Sequence, residues 1–139
     1  MTICRFVIAL FFFTSFLCAQ EIKLKKEIVY FNDSPTFSYI KKGMGNELQV
    51  FKLNTSEVIF TIVVDNNSTE SQVDDFKQIF FSEQKTTISS KNFRNRNYEF
   101  LVDLLFKEKV IDLNGKVDTS NLKRFKEKYN DNSAYQMMR

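Results

Sequence analysis

The side chains able to do chemistry in this sequence are mainly carboxylates, because no histidine occurs in its 139 residues. That absence removes the commonest general base at neutral pH and the commonest metal ligand. Aspartates are plentiful: Asp33, Asp65, Asp74, Asp75, Asp103, Asp112 and Asp118. A carboxylate-dependent hydrolase of the glycosidase kind needs two acids about 5 to 9.5 Å apart across a cleft. Asp74 and Asp75 are adjacent, and on a strand neighbouring side chains point to opposite faces. They make a poor pair.

One stretch invites a metal reading: Val110-Ile111-Asp112-Leu113-Asn114-Gly115-Lys116-Val117-Asp118, set between two helical patterns. With Gly115 at the sixth position of a calcium loop, Val110 falls first, Asp112 third, Asn114 fifth and Asn121 twelfth. The first position calls for an acid and the twelfth for a bidentate glutamate, and both fail. A structural account covers every residue. Asn114-Gly115 reverses the chain, Asp118 caps the following helix, and Val117 with Leu122 forms a hydrophobic staple.

The lysines form a third set. Lys23/Lys25/Lys26, Lys41/Lys42 and the run Lys123 to Lys128 could serve charge-driven adhesion to an anionic lipid or polymer, an attraction that salt would screen. Each cluster also has a structural role: a solvated strand entry, an exposed turn, and cations at a helix C-terminus where the dipole favours them. The formal net charge of +3 is too weak to argue for nucleic acid. Gly43, Gly45 and Gly115 are the only glycines and tryptophan is absent, so no phosphate-cradling loop is written here. No residue is assigned a catalytic, cofactor-binding or metal-binding role, and no cofactor is expected. The question of catalysis stays open, and the reading leans against it.

The elements that must position these groups begin after an export segment. Arg5, the apolar run Phe6 to Phe13, and Cys18-Ala19-Gln20 match a secretory signal peptide over residues 1–19. The run is too short to span a bilayer comfortably, since a spanning helix needs about 20 apolar residues. The expected location is therefore periplasmic or secreted, and the mature chain is not transmembrane. A retained anchor and a lipid-modified Cys18 are the alternatives. Removing 19 residues leaves 120, enough for one domain. Cys4, Cys18 and Arg5 leave with them, so the mature chain has no disulfide and a net charge of +2.

Glu27–Phe31, Thr36–Ile40, Leu48–Leu53, Val58–Val64 and Phe76–Phe81 read as strands by their β-branched and aromatic content, and Thr86–Ser89 as a short sixth. Asn32-Asp33-Ser34-Pro35 is turn chemistry. Val58–Val64 is apolar on both sides, which suits an interior strand or a subunit contact. The polar stretch Asp65–Asp75 reads as a surface loop, and the one most suited to recognition. A helix is expected from about Ser90 or Asn92, with Phe93, Phe100, Leu101, Leu104 and Leu105 on one side. Asp103 and Lys107 on its other side form an i,i+4 pair. Leu122, Phe125 and Tyr129 form the stripe of a second helix.

The expected fold is α+β: an antiparallel meander of five to six strands, then a helix-turn-helix pair packed on the sheet. It spans residues 20–129 as one domain, with 130–139 a flexible tail. Any sheet face the helices leave bare would be a partner or dimer surface. Phe16-Leu17-Cys18-Ala19-Gln20, the Lys- and Asn-rich strands, and Val110–Gly115 ahead of a short Phe125-to-Tyr129 helix resemble small uncharacterised exported proteins of Bacteroidetes. That resemblance implies a Gram-negative periplasmic or secreted location. It carries no activity and no functional residues. The expected function is a non-catalytic binding or envelope-associated domain, its partner an envelope protein or an anionic surface.

Overall fold

A computed structural model describes residues 20–65 and 76–131. Seven strands run β1 (Ile22–Lys25), β2 (Ile28–Phe31), β3 (Ser34–Lys42), β4 (Glu47–Lys52), β5 (Val58–Asp65), β6 (Phe76–Phe81) and β7 (Thr86–Ser90). Each pairs antiparallel with the next, so spatial order follows chain order. Two helices follow, α1 (Tyr98–Lys107) and α2 (Thr119–Tyr129). The expected α+β meander under a helix pair is what forms, with one strand more than the upper count.

The extra strand is β1. Its hairpin to β2 turns on Lys26 and Glu27, both at positive φ (51° and 65°). Two consecutive positive φ values are the mark of a type I′ hairpin turn, normally written with Asn, Asp or Gly. The next hairpin uses Asn32 and Asp33 at 49° and 67°, where the sequence signal is present. Charge at Lys23 to Glu27 hides the alternation of Ile22 and Leu24, which face inward opposite Phe31 and Val29.

Register places one apolar set on the helix side. The row Tyr39–Val50–Phe60–Phe81 crosses β3 to β6, and Leu48–Ile62–Ile79–Ile88 crosses β4 to β7. All are buried. Onto this face α1 sets Leu101, Val102 and Leu105, and α2 sets Leu122 and Phe125. Phe106 packs on Phe31 and Phe37, with ring centroids at 5.0 and 5.8 Å. The far end closes through Phe93, Phe125 and Tyr129, 4.7 to 6.2 Å apart.

The first helix differs from expectation at its start. Ser90 does cap, accepting from the Asn92 amide, but what it caps is a 3-10 turn over Lys91–Phe93. The α-helix begins at Tyr98, where the Asn97 side chain accepts from the Phe100 amide. Phe93 and Phe100 therefore do not share a helical face, and Phe100 is exposed while Val102 is buried. An asparagine cap ends one segment and starts the next, which pure periodicity overlooks.

The helix connection is a small docked hairpin. Ile111 bridges Val117, the Asp112 amide donates to the Lys116 carbonyl, and the Gly115 amide donates to the Asp112 carbonyl. Gly115 is buried at φ 80°. A Cβ there would lie 2.8 Å from Ile59 Cδ1 and 3.4 Å from Phe37 Cε1. Glycine is needed twice, for the left-handed backbone and for the close approach.

Candidate functional site on the helix-free sheet face

The acids are largely committed to the fold. Asp112 Oδ1 accepts from the Asn114 and Lys116 amides, both at 2.9 Å, and Asp118 Oδ1 accepts from the Asn121 amide at the start of α2. These two share a hollow with Phe106, Lys109, Ile111, Lys116 and Asn121, yet both side chains are exposed and each spends an oxygen on backbone amides. Asp103 pairs with Lys107 at 2.7 Å and accepts from Gln20. Asp33 pairs with Lys23 at 3.5 Å. Glu57 pairs with Lys52, and Glu108 with Lys128, each at 2.8 Å. Among the described residues no three acids gather as a metal site would require. Asp74, Asp75 and the rest of the polar stretch 66–75 lie outside the described residues, as do residues 1–19 and 132–139.

The lysine clusters stay apart. Lys41 and Lys42 end β3 at the same end of the sheet as the Lys26 turn, while Lys23 and Lys25 sit on β1 at one edge. Lys123 to Lys128 ride on α2, on the opposite side of the sheet. No continuous basic surface joins them.

Burial shifts two ionisable groups on the helix side of the sheet, Lys77 and Tyr98. Lys77, between Val64 and Ser90 in register, sends its ammonium to the carbonyls of Arg94 and Arg96, and burial lowers its pKa. The Tyr98 hydroxyl donates to the Gly45 carbonyl at 2.5 Å. Burial, with Glu47 nearby, raises its pKa. Each bond ties a loop to the sheet end: Lys77 holds the approach to α1, and Tyr98 holds the β3–β4 turn.

The side of the sheet away from the helices is the least explained by folding alone. Its central row is Ile40–Gln49–Thr61–Phe80–Thr87. Beside it run Ser38–Phe51–Val58 and Lys42–Glu47–Val63–Gln78–Ser89. Within these rows the only charges are Lys42 and Glu47, which oppose one another across the strands. Ile40 and Phe80 are 44% and 38% exposed, while Thr61 between them is 8% exposed. A hollow of about 350 Å³ opens at the edge of this face, where the charged Lys26 and Glu27 line it together with Ile28, Ser38, Ile40 and Phe51. The central row is neutral, lightly apolar, and carries hydroxyl and amide groups between its apolar side chains, while Lys23 and Lys25 alternate onto the same face at the β1 edge. Such a face suits non-covalent contact with an uncharged surface. Among its described residues there is no nucleophile–base pair and no acid pair.

The sequence places Ile40 and Phe80 in expected strands but does not single them out as contact residues. The available signal was Val58–Val64, apolar on both sides, whose outward residues Val58, Thr61 and Val63 lie within these rows. No family model, curated protein or solved structure matches this chain.

Proposed function

We propose that the protein is a non-catalytic exported domain that binds an envelope protein through the helix-free face of its sheet. The observation that carries this reading is the neutral row Ile40–Gln49–Thr61–Phe80–Thr87 with its two exposed apolar side chains. The central row carries no charge, and Lys42, Glu47 and the β1 lysines lie toward the margins of the face, so the fitting partner presents an uncharged, partly apolar patch opposite that row. Depletion of charge with retained aromatic and aliphatic contact is what interface centres share. Export is supported by the sequence of residues 1–19 and by the resemblance to exported proteins. No helix among the described residues is long and apolar enough to cross a membrane.

The test is retention of the tagged mature chain by periplasmic and outer-membrane fractions, at low and at moderate salt. Partner binding through this face survives the salt step and falls at least tenfold in Ile40→Lys/Phe80→Lys. That variant must keep the wild-type unfolding midpoint for the comparison to hold. Equal retention of variant and wild type would sink the assignment of the face. Retention only at low salt would move the reading to the lysine clusters and an anionic surface.

A further inference from the structure

Both edges of an open sheet present unpaired main-chain groups that can recruit another strand, and this protein protects its two edges differently. The β1 edge is four residues long and carries Lys23 and Lys25, the charged, short kind of edge that resists pairing. The β7 edge reads Thr86-Thr87-Ile88-Ser89-Ser90, with no charge and much β-branching. It is the more adhesive strand by composition.

Hydrogen bonding shows which β7 groups point outward. The Ser89 amide donates to Asn130 Oδ1 at 2.9 Å, and the Ser89 carbonyl accepts from the Asp131 amide at 2.8 Å. The Lys91 amide donates to the Asp131 carboxylate. Alternate residues of an edge strand point their main chain outward, so Thr87 points out with Ser89, and Thr86, Ile88 and Ser90 face β6. Among the described residues nothing pairs with the outward groups of Thr87. Two residues just past α2 thus occupy three of the outward groups at this edge.

We infer that Asn130 and Asp131 are a plug on the β7 edge, and that the occupant this edge fits when the plug is lifted is β7 of a second copy of the chain. In a twofold antiparallel pairing centred on Ile88, Thr87 of each copy exchanges both of its outward main-chain bonds with Ser89 of the other. Both of these pairs lie within β7, and the Lys85 turn at φ 49° stays outside the ladder. With the plug in place neither pair can form, because Ser89 is already bonded on both sides. Without it both form, and the uncharged side chains of β7 oppose no like charges. The helix α2 fixes the plug, since Phe125 and Tyr129 anchor it against Phe93.

The test is molar mass by light scattering at rising concentration. Asn130→Ala/Asp131→Pro removes all three bonds, and Asn130 already has ψ 119°, the extended conformation that a following proline requires. The wild-type chain stays monomeric, whereas this variant doubles in mass with concentration. Adding Thr87→Pro returns it to monomer, because Thr87 lends its amide to the edge and not to β6. A folded variant that stays monomeric overturns the proposal, as does a dimer that survives Thr87→Pro. Hydrogen exchange on the wild-type chain tests the plug without any variant: the Ser89 and Lys91 amides exchange at least tenfold more slowly than the Thr87 amide. Equal exchange at the three positions would also overturn it.

Discussion

The two faces of this sheet are made from the same strands and do opposite things. On the helix side, Phe37, Leu48, Phe60, Ile79 and Phe81 are all but sealed from water, with α1, α2 and the hairpin at Gly115 packed over this side. On the other side Ile40 and Phe80 stay open, separated by Gln49 and Thr61. Alternation along a strand makes the two faces independent in composition, so one could be given to stability and the other kept for contact. The comparison makes a quantitative claim: equal-sized truncations should cost very different amounts on the two faces.

The largest expected effect is at Phe37, where the ring meets Phe106 and underlies the Gly115 hairpin. Phe37→Ala should destabilise by about 3–5 kcal/mol, the usual cost of emptying an aromatic site in a packed core. Urea unfolding would measure it as a lowered midpoint. A loss below about 1 kcal/mol would mean that the inner face is loosely packed and that the contrast drawn here is wrong.

Gly115 comes next. An alanine there must hold a left-handed backbone, costing about 1–2 kcal/mol, and must push Ile59 Cδ1 from 2.8 Å. The expected total is about 1–3 kcal/mol. The two parts separate in Ile59→Val, which removes Cδ1 and so relieves the contact but not the backbone strain. In the Gly115→Ala/Ile59→Val pair the coupling should be favourable. Strict additivity would show that the backbone term alone acts.

How far the sequence showed these features depended on whether local chemistry agreed with tertiary role. Asn32-Asp33 announced its hairpin, whereas Lys26-Glu27 makes the same turn with residues that give no turn signal, so β1 was missed. Asp118, Leu122 and Phe125 behaved as helix periodicity and capping imply. Phe93 and Phe100 did not, because Asn97 restarts the chain between them. The bonds of Asn130 and Asp131 to β7 span about forty residues, and no pattern in a single sequence encodes that distance. Which face the helices would leave exposed was not legible in the sequence, so Ile40 and Phe80 became informative only once their open side was seen.

Lys77 tests the inner face from another direction, since it brings a charge there. Its pKa is lowered by burial, so between its folded value and 10.5 the unfolded chain holds the proton more tightly. Stability must then rise with pH across that window. The groups shifted the other way act later: Lys23, Lys52 and Lys128 are raised by their acidic neighbours, so their stabilisation is full below 10.5 and lost above it. Tyr98, raised by burial, opposes Lys77 from about the ordinary tyrosine value of 10.0 upward. The difference in melting temperature between wild type and Lys77→Met, followed from pH 7 to 10.5, isolates the lysine. Wild type should gain relative to the variant as pH rises, and a flat difference would mean that the ammonium is not penalised in the folded state.

The smallest stability effects belong to the open face. Ile40 and Phe80 are only a little more than half covered, so Phe80→Ser and Ile40→Ser should each cost about 1–2 kcal/mol. The neutral row makes this a sharper expectation than exposure alone. Gln49, Thr61 and Thr87 flank the truncated sites with groups that tolerate water, so no buried polar atom is orphaned. A cost near that of Phe37→Ala would mean that the outer face is held by packing of its own and is not a surface kept for contact. A small cost joined to a tenfold loss of partner retention is the opposite result, with contact and stability separated between the two faces. Phe80→Leu completes the comparison: it keeps an apolar side chain, so it should leave stability unchanged and restore most of the retention that serine removes.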